Sequence, residues 1–208
     1  MNRSPNSIST IFFDIGGVLL KINLLPLMTE LTRLTGQSIP DLKRDRDYAL
    51  YCRLERGEIS IREYHDRAFR TPSGELLMTF DRFIEFWRGI LKENTGVHKL
   101  LPVLRRQARV WLLSNTNDGH LPHLEKRNGF FQAVDGLIAS HLVGLRKPEP
   151  AIYRLAMQKA GARPEESLFI DDVKENVEAA QKLGIRSHQF VDQAGLEIFL
   201  KENGLLLN

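Results

Sequence analysis

The chain alternates between short apolar runs and helical patterns, and several of the apolar runs stop abruptly at polar residues. The run Ile11 to Phe13 gives way at once to Asp14 and the Gly16-Gly17 pair. RVWLLSN (109–115) stops at Ser114-Asn115, and SLFIDD (167–172) stops at Asp171-Asp172; GIRSHQFV (184–191) is a further strand candidate. Between them the periodicity predicts helices over about 97–107, 118–128, 149–161 and 174–183. Strands alternating with helices at this spacing predict βαβ units, an α/β fold with a parallel sheet flanked by helices. Ligands of such sheets bind beyond the carboxyl ends of the strands, where three of these runs place polar side chains.

Residues 22–94 follow another rhythm. No strand stands out there, and Leu24, Leu25, Leu27, Met28, Leu31 and Leu34 fall on one helical face. Ser60 and Glu63 have capping-box spacing, so a helix is expected to begin at Ser60. Phe80, Phe83, Phe86 and Trp87 recur at three- and four-residue steps and form an apolar stripe, expected to be the segment's own core. The segment reads as a helical insertion (21–94) in a sheet domain made of 1–20 and 95–208. Glu55, Arg56 and Glu58 around Gly57, with Arg53, read as a solvated helix end and turn.

Composition narrows the class. With 208 residues, 42% hydrophobic and 26% charged, the chain can build one domain, or one with a sizeable insertion. The net charge of +3 suits an anionic small molecule, and no basic stripe interleaved with aromatics points to nucleic acid. One cysteine, Cys52, excludes an internal disulfide and a cysteine-rich zinc site. The polar N-terminus and the Asp14-interrupted apolar run behind it fit neither a signal nor a membrane segment, so a soluble, cytoplasmic protein is expected, with no membrane partner. There is no GxxxxGKS or GxxxxGKT loop, no GxGxxG after the first strand and no HExxH.

The strand-tip residues carry the candidate chemistry. Asp14 could bind a metal, act as a base or act as a nucleophile, the bland alternative being a turn aspartate. Gly16-Gly17 would let backbone amides approach a ligand there. Ser114 and Asn115 suit phosphate oxygens and equally suit an N-cap. Lys147 stands in GLRKPEPAIY, just before a helix, where it could neutralise a phosphate or a carboxylate; Arg146 beside it reads as a solvated surface residue. Asp171 and Asp172 repel each other unless a cation or donors intervene. Magnesium takes such oxygen ligands, and Asp14 with this pair would provide them. His120 reads as a solvated helix histidine, and its i+3 spacing to His123 gives no metal site.

In the order Asp, Ser-Asn, Lys, Asp-Asp, the chain resembles the haloacid dehalogenase superfamily of phosphohydrolases. FFDIGGVLL is similar to its first motif, LLSN to its second, Lys147 in RKPEP to its third and FIDDVKEN to its fourth. The resemblance covers nearly the whole chain, the 21–94 insertion standing where that superfamily places a small α-helical cap on a Rossmann-like core. ERGEIS, LSNTN and DDVKENVEAA are further similar to bacterial α-D-glucose-1-phosphate phosphatases. The resemblance implies a Mg²⁺-dependent phosphatase acting on a small phosphorylated metabolite, a sugar phosphate such as glucose 1-phosphate, as a monomer or homodimer. Asp14 would be the nucleophile and form an aspartyl phosphate. Mg²⁺ would be held by Asp14, the Gly16 carbonyl and Asp172, with Asp171 near. Ser114 and Asn115 would bind phosphate, and Lys147 would balance charge in catalysis and substrate binding. One departure is plain: where most phosphatases of the superfamily carry a second aspartate two residues after the nucleophile, this chain has Gly16, which leaves the leaving-group acid open; His120, just past LLSNTN, could come near the site and stand in.

Two other readings compete. A metal-independent 2-haloacid dehalogenase also lacks the second aspartate, but has little use for paired carboxylates beside an anionic substrate. A non-catalytic binding protein of the same fold would use the insertion as an interface, and would not need all four motifs.

Overall fold

The computed structural model describes residues 7–44, 47–71 and 73–206; the polar residues 1–6 lie outside it. Five strands, β1 (Thr10–Phe13), β4 (Arg109–Ser114), β5 (Gly136–Ala139), β6 (Ser167–Asp171) and β7 (Arg186–Gln189), form one parallel sheet in the order β5-β4-β1-β6-β7. β1 is central, with Phe13 in register with Leu112 of β4 and Ile170 of β6. Both faces are covered, as an all-parallel sheet requires. Ile11 and Phe13 point into one apolar layer with Val110, Leu112, Leu168 and Ile170. Phe12 points into the other with Leu113, Phe169, Ile152 and Tyr153.

The flanking helices are α6 (Leu101–Leu104), α7 (Leu121–Arg127), α8 (Ser140–Val143), α9 (Pro150–Ala160), α10 (Lys174–Gln181) and α11 (Gln193–Glu202). α7, α9 and α10 fall where helices are expected, 97–107 is a 3₁₀ turn followed by the short α6, and α8 and α11 are helices the periodicity does not predict. β5 was not visible as a strand: its four residues, GLIA, are too few to show a period.

A second, two-stranded ribbon pairs β2 (Leu20–Ile22) with β3 (Leu91–Asn94) antiparallel. Between them run α1 (Leu25–Thr35), α2 (Ile39–Arg44), α3 (Tyr48–Glu55), α4 (Ile61–Ala68) and α5 (Phe80–Gly89). They bury a separate apolar cluster that includes Leu27, Leu31, Leu54, Tyr64, Phe83 and Trp87. Ser60 caps α4 through a complete capping box. Where the sequence shows no strand, β3 forms: its Leu-Lys-Glu-Asn run has one apolar residue, and pairing with β2 overrides its weak propensity. Among the described residues no helix is long and apolar enough to cross a membrane.

Candidate active site

The chain builds β4 and β5 to one side of β1 and then returns to build β6 and β7 on the other. The carboxyl ends of β1, β4 and β6 therefore meet where the strand order reverses, the position at which open parallel sheets bind ligands. Asp14 follows β1, Ser114 ends β4 and Asp171 ends β6. The Asp14 N–H donates to the Ile170 carbonyl at 2.9 Å, which carries the β1–β6 ladder up to the aspartate.

Lys147 comes from the loop before α9 and is 1% exposed. Its Nζ lies 2.9 Å from Asp14 Oδ1 and donates to Asp171 Oδ2 at 2.6 Å and to the Leu113 carbonyl at 2.9 Å. Burial works against the charge on this ammonium, but Asp14 and Asp171 outweigh it and hold its pKa above the ordinary lysine value. The loop is fixed from behind by Asn115, whose side chain donates to the Lys147 carbonyl at 2.9 Å and accepts from the Lys147 N–H at 2.8 Å. The Asn115 amide is thus committed to placing Lys147; Ser114, buried at the end of β4, presents its hydroxyl beside it.

Asp171 is completely buried, and both its oxygens are engaged. Oδ2 takes the Lys147 ammonium, while Oδ1 accepts from the Val173 N–H and Asn176 Nδ2, each at 2.9 Å. It does not cap α10. Asn176 is a site residue that sequence reasoning passed over, although its place in the first turn after FIDD was a usable signal.

Asp14, Asp171 and Asp172 each offer an oxygen within 4.8 Å of the others. Burial foremost, with the charges of Asp171 and Asp172, raises the Asp14 pKa to about 7 against the opposing Lys147. Burial and then Asp171 raise that of Asp172. One ammonium does not balance three carboxylates. Hard oxygen donors with an uncompensated negative charge fit Mg²⁺, with Asp14 and Asp172 the better candidates because the Asp171 oxygens are already engaged. Gly17 makes room: at φ +79°, a Cβ there would lie 2.2 Å from Asp172 Oδ2. At Gly16 a Cβ would point to Leu91 and Ile22 of the ribbon, at 3.5 and 3.6 Å. The position of the missing second aspartate therefore faces apolar side chains.

Three expectations are corrected by tertiary contacts. His120 is not a solvated helix histidine: it is buried, stacks on Trp87 with ring centroids 5.0 Å apart, and places Nε2 2.8 Å from the Trp87 carbonyl. Burial lowers its pKa to about 4, so it is neutral at pH 7 and holds no proton for a leaving group. Arg146 is not a surface residue: Nε donates to Glu55 Oε2 at 2.8 Å and Nη2 to the Tyr48 hydroxyl at 3.1 Å. The turn after α3 is solvated on one side only, where Arg53 pairs with Glu58 at 3.2 Å. Glu55 is buried, Arg56 pairs with Glu149, and Gly57, at φ +68°, packs so closely that a Cβ would lie 2.3 Å from the His141 carbonyl oxygen. Asp118, in the turn just before α7, accepts from the Ile61 N–H at 2.9 Å and caps α4 from across the site.

A cavity of about 1300 Å³ extends from Asp14, Ser114, Lys147 and Asp172 up between the helices α1 to α5.

The family model of haloacid dehalogenase-like hydrolases matches residues 8–184. A sesquiterpene phosphatase of Aspergillus oryzae is 29% identical over 83% of this chain and 85% of its own. A D-ribitol-5-phosphate phosphatase of Bacteroides thetaiotaomicron is 28% identical over 88% and 91%. A mutant of a haloacid dehalogenase family enzyme from B. thetaiotaomicron, solved with magnesium and inorganic phosphate, superposes with a TM-score of 0.77 at 27% identity, covering 91% of this chain and 99% of that one. The chain belongs to the haloacid dehalogenase-like hydrolases.

Proposed function

We propose that this hydrolase is a Mg²⁺-dependent phosphatase that cleaves a small phosphorylated metabolite through an aspartyl phosphate on Asp14. The observation that carries the reading is Asp14 itself, a carboxylate at a central strand tip with the Lys147 ammonium 2.9 Å away on one side and Asp172 on the other. The magnesium and phosphate bound by the structural relative, and the phosphatase relatives, support it.

In this reading Asp14 attacks phosphorus, an Asp14 O–P bond forms, and the ester P–O bond breaks. Water then attacks the aspartyl phosphate, releasing inorganic phosphate and restoring the carboxylate. Lys147 favours the ionised form of Asp14, orients it and offsets charge on the phosphoryl oxygens; Asp171 fixes Lys147, and Asn115 fixes the loop that carries it. The Ser114 hydroxyl and the backbone amides after it receive phosphate oxygens. Asp14, Asp172 and the Gly16 carbonyl would hold Mg²⁺, with Asp171 behind them. The metal supplies charge neutralisation and orientation of the phosphoryl group, the main requirements of this transfer. With glycine at position 16 and His120 neutral, neither supplies the proton of the leaving oxygen, which is taken from water.

We assign residues 21–94 as a cap over a core of 1–20 and 95–208, with specificity set by the cap, and place the activity in the cytoplasm, in a monomer or homodimer. The D-ribitol-5-phosphate phosphatase supports a sugar or polyol phosphate, glucose 1-phosphate among them; the sesquiterpene phosphatase, equally similar, supports an apolar alcohol. The test of the chemistry is rapid acid quench of turning-over protein followed by peptide mass spectrometry. A phosphoryl group on the Asp14 peptide, lost with EDTA, is expected. Turnover with that peptide unmodified at every quench time would refute the covalent step.

A further inference from the structure

The cavity above the carboxylates is larger than the roughly 300–1,000 Å³ usual for small-molecule sites and, at about 1300 Å³, far exceeds what a phosphate and its metal require. Its walls are mostly aliphatic and aromatic. Leu27, Met28, Leu31 and Leu34 come from α1, Leu50 from α3, and Phe69 and Leu77 from the turn beyond α4. Met28 and Leu77 are only partly buried, so they present apolar surface to the space itself.

Most of the polar side chains along the same walls are engaged with the protein, Thr116 Oγ1 beside the strand tip being buried without a partner among the described residues. Glu55 is held by Arg146, and Arg146 also by Tyr48. Asp47 accepts from the Leu50 N–H, Thr35 donates to the Leu31 carbonyl, and Arg70 donates to the Asp66 and Gly74 carbonyls. Arg67 lines the cavity but is exposed, at its rim. A sugar ring in this chamber would set several hydroxyls against hydrocarbon, and each buried hydroxyl without a partner costs free energy. A hydrocarbon chain would instead remove water from apolar surface.

We infer that the chamber is a subsite for a hydrocarbon leaving group, making the substrate a phosphate monoester of a long-chain apolar alcohol. This rests on the phosphatase reading for the phosphate end and on the chamber for the alcohol end, and the two ends can be tested separately. Straight-chain alkylphosphonates, which carry no hydrolysable ester, report the chamber alone. Titrated calorimetrically into the full chain with Mg²⁺, a series from ethyl to octyl is expected to gain about fourfold in affinity per methylene. Met28→Gln, and independently Leu34→Gln, should flatten that slope while the melting temperature shows the protein folded. An affinity that does not change from ethyl to octyl would overturn the proposal.

Turnover of the matching alkyl phosphates and of glucose 1-phosphate then separates the two readings. A rising phosphonate series with no ester hydrolysed would leave the chamber standing and sink the phosphatase. A flat series with glucose 1-phosphate hydrolysed would do the reverse. Because the alkyl alcohols differ little in acidity, a rise in kcat/KM along their phosphates measures the chamber and not the missing acid.

Discussion

Lys147 shows what single residues contribute here. Its buried ammonium is shared between two carboxylates and a carbonyl, so removing it leaves the buried Asp14 and Asp171 without their shared cation. Breaking a buried pair from one side typically costs about 3–5 kcal/mol. Lys147→Met is therefore expected to lose stability on that scale in urea denaturation and to lose phosphate release; a variant as stable and active as the wild type would contradict the role. His120 makes a second prediction. Its pKa in the folded protein is about 4, below the ordinary 6.5. The unfolded chain thus takes up the proton first, and this contribution to stability is present above about pH 6.5 and lost as pH falls toward 4. An NMR titration of the His120 ring should show it neutral until near pH 4; a midpoint near 6.5 would refute its burial. Asp14, Ser114, Asp171 and Asp172 were legible because a polar residue directly after an apolar run has one natural place, the mouth of a sheet, and Lys147 because RKPEP resembles a family motif. The buried states of His120 and Arg146 were not, since Trp87 and Glu55 lie 33 and 91 positions away.

Between elements, the helical insertion is tied to the sheet domain by directed polar contacts. Glu55 at the end of α3 meets Arg146 before α9, Trp87 of α5 donates to Asn117 at 3.2 Å, and Asp118 caps α4. An N-cap acceptor is typically worth about 1 kcal/mol. Asp118→Ala should cost about that in denaturant stability and speed amide exchange at Ile61; unchanged exchange there would show that the cap contributes nothing. The capping box at Ser60 could be read from four residues, because both partners lie within one turn. The β2–β3 ribbon could not: its strands lie some 70 positions apart in the chain, and neither carries a clear alternation.

At the scale of the whole molecule, the strand order decides the function. Chain reversal around β1 gathers four sequence-distant motifs at one sheet mouth, and the helices above it enclose a chamber far larger than the phosphate needs. The order of the motifs in the sequence was enough to expect this architecture, while the size and apolar lining of the chamber came from packing among α1 to α5 that no periodicity specifies. The central claim is that phosphate release depends on Asp14 and on a divalent cation. The most direct test is phosphate release from p-nitrophenyl phosphate, glucose 1-phosphate and octyl phosphate, with Mg²⁺ and then with EDTA, for the wild type and Asp14→Asn. Release from at least one ester by the wild type with Mg²⁺, abolished by EDTA and by Asp14→Asn, is the predicted result. Release that persists in Asp14→Asn, or no release from any ester with Mg²⁺, would contradict the account.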